Sequence, residues 1–134
     1  MAPSAGVALR HALSLHWFID ASNVIGSRPD GWWRDREGAA RRLIEEIRAW
    51  ADEDTTVVLD AGPDDLLGTV ENVTVVRAPR RGRDAADDEI IELVYGCDDA
   101  RVVTSDAGLA RRARALGADV VGAGEFRRRL GSTR

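Results

Sequence analysis

The chain has 134 residues, 44% of them apolar, and a formal net charge of −4. That length and apolar content describe one globular domain and exclude a disordered chain. The acidic balance argues against a protein that coats nucleic acid by charge alone, and no run of about 18 apolar residues is present to span a membrane.

Residues 1–12 carry no clear period and read as a loose N-terminal segment, with 13–134 forming a single domain. The opening "MAPSAGVALRHALSLHW" has no long apolar stretch after a basic flank. No signal peptide is therefore expected, and a cytoplasmic location follows. Residues 15–20 read as a short buried strand ending at Asp20, with Asn23 three residues on. "SRPDGWWRDRE" is a loop carrying Trp32 and Trp33. Residues 37–51 are helical, because Ala40, Leu43, Ile44, Ile47 and Trp50 recur at three- and four-residue spacing. Strands follow at 55–60 and 72–79, closed by Gly62-Pro63 and by Pro79. A helix covers 84–96, a fourth strand closes in Thr104-Ser105-Asp106, and a helix covers 107–116. "ADVVGA" is a fifth short strand and "GEFRRRLG" a last helical turn or two. Short β-branched runs alternating with helices predict an α/β three-layer sandwich around a mostly parallel five-stranded sheet.

The basic residues exclude several chemistries. All 19 are arginine, with no lysine anywhere. A GxxxxGK[ST] phosphate loop is impossible, as are lysine Schiff-base catalysis and phosphotransfer sites that rely on a lysine. The single cysteine, Cys97, allows neither an internal disulfide nor a cysteine zinc cluster. Arginines instead cluster at 77–83, 110–115 and 126–130, and arginine grips phosphate with a two-pronged donor fork.

Three apolar runs end on a carboxylate, at Asp20, Asp60 and Asp106. In a parallel sheet those ends share one edge, where function collects. A strand-end aspartate also serves as the N-cap of the next helix, and Asp60 before "AGP" suits a turn. On a helical wheel Asp87 falls on the inward arc of Ile90, Ile91 and Val94, while Asp88 flanks that arc and Glu89 points away. A carboxylate on a buried stripe is costly without a positive partner. A divalent cation satisfies several such groups at once, and hard oxygen ligands suit Mg²⁺ or Mn²⁺. Arg80, Arg81 and Arg83 stand directly before this acidic helix, where they are placed to track an RNA backbone. Trp32 and Trp33 are candidates for stacking on bases or for packing.

"FIDASNVI", "VVLDAG", "AADDEIIELV" and "VVTSDAGLARRARALGADVVGAGEF" together resemble the NYN group of PIN-like ribonucleases, in its bacterial YacP-like branch. The resemblance covers about residues 15–130, and the last block is its most specific part. It implies a PIN-like α/β fold and metal-dependent cleavage of RNA with Mg²⁺ or Mn²⁺. By motif, Asp20 matches the first-strand aspartate and Asn23 its polar partner. Asp87 and Asp88 match the acidic helix start, and Ser105 with Asp106 the strand-four motif. Asp60 is a possible additional acid. Ala21 stands where the family commonly has glycine, and Ala110 stands where many relatives carry a further acid.

The expectation is an endoribonuclease acting on single-stranded RNA, with Asp20, Asp87, Asp88 and Asp106 on the metal and Asn23 and Ser105 orienting. The expected partners are that RNA and a ribosome or larger RNA-processing complex presenting it. The chain would be a monomer or homodimer with no membrane partner. The competing expectation is an RNA-binding or assembly module with a degenerate, catalytically weak site.

Overall fold

The run at residues 16–20 is the hub of the sheet. In the computed structural model, which describes residues 15–79, 82 and 84–132, it forms β1 (His16–Asp20). β1 pairs in parallel with β2 (Thr55–Leu59) on one side and with β5 (Ala100–Val103) on the other. Beyond them, also parallel, lie β4 (Val73–Arg77) and β6 (Asp119–Val121). A sixth strand, β3 (Gly68–Val70), pairs antiparallel with β4 at the edge and gives the order β3-β4-β2-β1-β5-β6. The sheet thus has six strands where the apolar pattern predicts five. β3 leaves no such pattern because its three residues are all exposed. It forms through a tight turn at Glu71 and Asn72, in which Glu71 takes a left-handed φ of 54°.

Helices cover both faces, as buried parallel strands require. One face carries α1 (Ala21–Gly26), α2 (Arg36–Trp50) and α5 (Ala123–Ser132). Trp17, Ile19, Val57 and Leu59 pack there against Val24, Leu43, Ile44, Ile47 and Phe126. The other face carries α3 (Ala85–Val94) and α4 (Ala107–Ala115). Phe18, Val58 and Val102 pack there against Ile90, Val94, Leu109 and Ala113. The α2 stripe is the one its spacing predicts, and truncating a fully buried leucine or isoleucine of this kind costs about 2–5 kcal/mol. Asp35 caps α2, its carboxylate accepting the Gly38 N–H at 2.9 Å. α1 is absent from the sequence reading because it starts one residue after β1, with no loop to announce it. Where a loop was expected, a 3-10 turn spans Trp32–Arg34.

The strand order positions the site. From β1 the chain moves outward to β2 and β4, then α3 carries it back across to β5 on the far side of β1. This reversal opens a crevice at the carboxyl ends of β1 and β5, the place where open α/β sheets bind ligands. Among the described residues no helix is long and apolar enough to cross a membrane. The segment 1–12 lies outside the described residues.

Candidate functional site

Asp20 is the last residue of β1, and only 4% of it is exposed. It stands at the N-cap position of α1 yet makes no side-chain cap bond to that helix. Its carboxylate instead accepts the Thr104 hydroxyl on Oδ2 at 3.1 Å and, more weakly, the Ser22 hydroxyl on Oδ1 at 3.4 Å. Burial pushes its pKa up to about 6; the Thr104 hydrogen bond opposes the rise, and the charge of Asp87 adds to it.

The segment after β5 supplies the facing wall. Thr104 is buried, and besides donating to Asp20 its hydroxyl oxygen accepts the Asp106 N–H at 3.1 Å. One threonine therefore sets the spacing between the two strand-end aspartates. The Asp106 side chain caps α4, with Oδ1 accepting the Leu109 N–H at 2.9 Å. Capping and site geometry coexist here, because a carboxylate has a second oxygen to offer. Asn23 Oδ1 accepts the Ser105 N–H at 2.6 Å, bridging α1 to the end of β5. Ser105 Oγ accepts the Ala123 N–H at 2.9 Å and so ties the same loop to the start of α5.

Asp87 enters from α3. Ala86, Ile90 and Val94 are the buried residues of that helix, and Asp87 lies half-buried at the margin of their arc, whereas Ile91 is only partly buried. Its pKa is raised, first by burial, then by the charges of Asp106 and Asp84, with Arg112 opposing. Asp87 thus acts on Asp20, and Asp106 on Asp87, across three separate elements at the β1–β5 crevice. Asp88 belongs to a different arrangement, an ion pair with Arg112 of α4 at 3.1 Å.

The other predicted residues fall elsewhere. Asp60 follows β2 and is exposed, one strand over from Asp20 and two from Asp106, and it is not among the causes of the raised pKa of Asp20 or Asp87. Arg80, Arg81 and Arg83 lie outside the described residues. Trp32 is half-buried and Trp33 is 55% exposed; their rings meet edge to face at 6.0 Å.

Three residues at the site were passed over in the sequence. Thr104 sits inside the "TSD" block and gave a signal of its own, a polar residue closing a buried run. Arg112 was read only as one of the 110–115 arginines, and its partner, like that of Ser22, becomes visible only in three dimensions. In kind, the all-oxygen donors fit a hard divalent cation. Among the described residues, however, no three of Asp, Glu, His and Cys converge closely enough to hold an ion between them.

No family model matches the chain, and no curated protein matches its sequence. Its fold is similar to that of Rae1 (YacP) from Bacillus subtilis, with a TM-score of 0.65 and 21% identity, covering 87% of this chain and 74% of that one. A mutant of the same protein superposes with a TM-score of 0.68 and 21% identity, covering 88% of this chain and 75% of that one. The YacP-like resemblance read from the motifs thus has its counterpart in the backbone.

Proposed function

We propose that this protein is an endoribonuclease that cuts single-stranded RNA with Mg²⁺ or Mn²⁺ at the crevice between β1 and β5. The observation that carries the reading is the raised pKa of Asp20 and of Asp87, each pushed up by burial and by a neighbouring aspartate. Asp20 feels the charge of Asp87, Asp87 feels that of Asp106, and the most buried of them has no basic partner among the described residues. A protein gains no stability from that arrangement unless a cation joins it. The motif order shared with NYN ribonucleases supports the same conclusion.

Asp20, Asp87, Asp88 and Asp106 would hold the ion between them, some directly and Asp88 through water, with solvent or phosphate oxygens completing the shell. When bound, the ion supplies Lewis acidity and lowers the pKa of a coordinated water. The chain's own polar groups do the positioning. Asn23 has its oxygen fixed by the Ser105 N–H, so its amide N–H groups are free to donate to a phosphate oxygen. The Ser105 hydroxyl, accepting from Ala123, keeps its own proton for the same purpose. Thr104 holds the Asp20 carboxylate in one orientation. A cytoplasmic setting, with the RNA presented by a ribosome or larger RNA-processing complex, accords with this role.

Incubating the purified protein with labelled single-stranded RNA, with Mn²⁺, with Mg²⁺ and with chelator, tests the proposal. Internal cleavage with metal and none with chelator is the expected result; no cleavage under any condition refutes it. Arg80, Arg81 and Arg83 are proposed to follow the RNA backbone. Replacing all three with alanine should weaken binding of every sequence and lower the slope of log K against log[salt] by roughly 0.7 per lost contact. An unchanged slope moves the RNA path to the arginines of α4 or α5.

A second reading, an RNA-binding or assembly module with a degenerate site, is favoured by Ala110. It is buried on α4 one turn after Asp106, where a further acid would stand. Thermal melts with Mn²⁺ separate the two readings. A site that ligates the ion gains about 2.7 kcal/mol at a hundredfold excess over Kd, and a vestigial one gains nothing.

A further inference from the structure

Beside the acid cluster, on the α1–α2 side of the carboxyl edge, lies a pocket of about 300 Å³. Its floor is apolar, from Ile25 and Leu59, and one wall is Trp32. Ser22, Arg36 and Asp60 form the rim. Ser22 also donates to Asp20, so the pocket begins one side chain from the proposed cleavage centre. Building on the ribonuclease reading, we propose that this pocket receives a single unpaired nucleobase of the RNA strand next to the scissile phosphate.

Four features select that occupant. The volume is at the lower bound of small-molecule sites, about 300 Å³, enough to accommodate a base. The Arg36 guanidinium lies over the Trp32 ring at 5.4 Å, so a planar cation and an aromatic ring frame the opening, and both stack on bases. Arg36 has no carboxylate partner among the described residues, whereas nearby Arg41 is held by Asp65 at 2.7 Å and by Glu37 at 3.1 Å. It therefore keeps its charge for the backbone phosphate of the nucleotide it covers. Asp60 likewise has no hydrogen bond or ion pair among the described residues, so its oxygens are available to accept the N–H that each base carries on its Watson–Crick edge, at a position that differs from base to base.

The indole is also fixed in place. Its Cζ2 lies 3.9 Å from where a side-chain carbon on Gly26 would stand, so α1 buttresses the ring from the protein side. Asp60 also borders a second groove of about 740 Å³ that runs past Arg77 and Pro79 to Gly82. A strand lying in that groove arrives at the pocket before it reaches Asp20. On this reading Asp60 recognises a base and is not a further metal ligand, in keeping with its exposed position at the end of β2.

The test uses the full chain carrying Asp20→Asn, so that binding is read without cleavage. A short single-stranded RNA is titrated against it, then the same RNA with one abasic nucleotide moved along the sequence. Loss of one base, at a single position, should weaken binding about tenfold. Trp32→Ala should erase the difference between intact and abasic RNA, Trp32→Phe should keep most of it, and Asp60→Asn should change which base is preferred there. Equal effects at all positions, an undiminished abasic penalty in Trp32→Ala, or no RNA binding at all would overturn the proposal. If the positional penalty stands but the unmutated protein cuts no RNA with either metal, the nuclease reading fails and the base pocket survives.

Discussion

Asp20→Asn should lower RNA cleavage by about 100-fold or more and, in the same molecule, raise the melting temperature of the metal-free protein at pH 7. The two effects have one origin. Asp20 is buried with no basic partner among the described residues, and its pKa is pushed up to about 6 against 3.8 for a free carboxyl. Between those values the folded chain binds more protons than the unfolded one, so this group's contribution to stability falls as pH rises through that window. Above pH 6 the whole penalty is present, up to about 3 kcal/mol. An asparagine carries no charge and can still offer an oxygen to Thr104. The variant should melt roughly 5 °C higher at pH 7, with the gain shrinking toward zero at pH 4, where the wild-type carboxyl is itself largely protonated when folded. Differential scanning calorimetry at the two pH values, beside a cleavage assay with Mn²⁺, makes the comparison. Wild-type turnover in the variant would move the reaction away from β1. Lost activity with a lower melting temperature would make Asp20 a structural acceptor for Thr104 and not a strained ligand.

How far this site could be read from the sequence depended on what each residue's role required. Asp20 and Asp106 were legible because both close short β-branched runs, and a parallel sheet brings such ends to one edge whatever the strand order. Asp87 was legible through helical period: one turn ahead of Ile91, it fell within the inward arc of Ile90, Ile91 and Val94 before any packing was known. The wheel centred that arc on Ile91 as well, but in the fold Ile91 is only partly buried and Ala86 takes its place. The arc shifts by part of a turn, and Asp87 moves from its middle to its margin. Asp60 fitted the same strand-end pattern as Asp20, yet it is exposed and stands outside the strained cluster. Strand-end position alone does not distinguish a crevice next to a reversal of strand order from one a strand away. Thr104 stood out only as a polar residue closing a buried run; its part in linking two aspartates 86 positions apart, counting from Asp20 to Asp106, is a distance that one-dimensional patterns do not contain. The edge strand β3 was missed for the opposite reason. Its stability comes from the turn at Glu71 and from β4, and none from burial of its own side chains.

The last expectation separates Asp87 from Asp88, adjacent acids that the motif treats as a pair. Asp87 sits where burial, Asp106 and Asp84 all disfavour its charge. Asp88 points to α4 and is held by Arg112 at 3.1 Å, with both side chains well exposed. Asp87→Asn should therefore lower single-turnover cleavage by about 100-fold while slightly stabilising the metal-free protein, because the repulsion it feels disappears with its charge. Asp88→Asn gives up an exposed ion pair, which contributes about 0–1 kcal/mol, and should leave the melting temperature nearly unchanged. Its effect on cleavage should be smaller, about tenfold or less, as expected of a group acting through water. It also frees Arg112, whose charge now offsets part of the strain on Asp87. With its partner gone, the guanidinium can swing toward the crevice and compete with the metal, so the cleavage defect of Asp88→Asn should shrink as Mn²⁺ is raised. The double variant Asp88→Asn with Arg112→Ala should lose that metal dependence. Equal losses from Asp87→Asn and Asp88→Asn at saturating metal would show that both carboxylates touch the ion and that the Arg112 pair breaks when it binds.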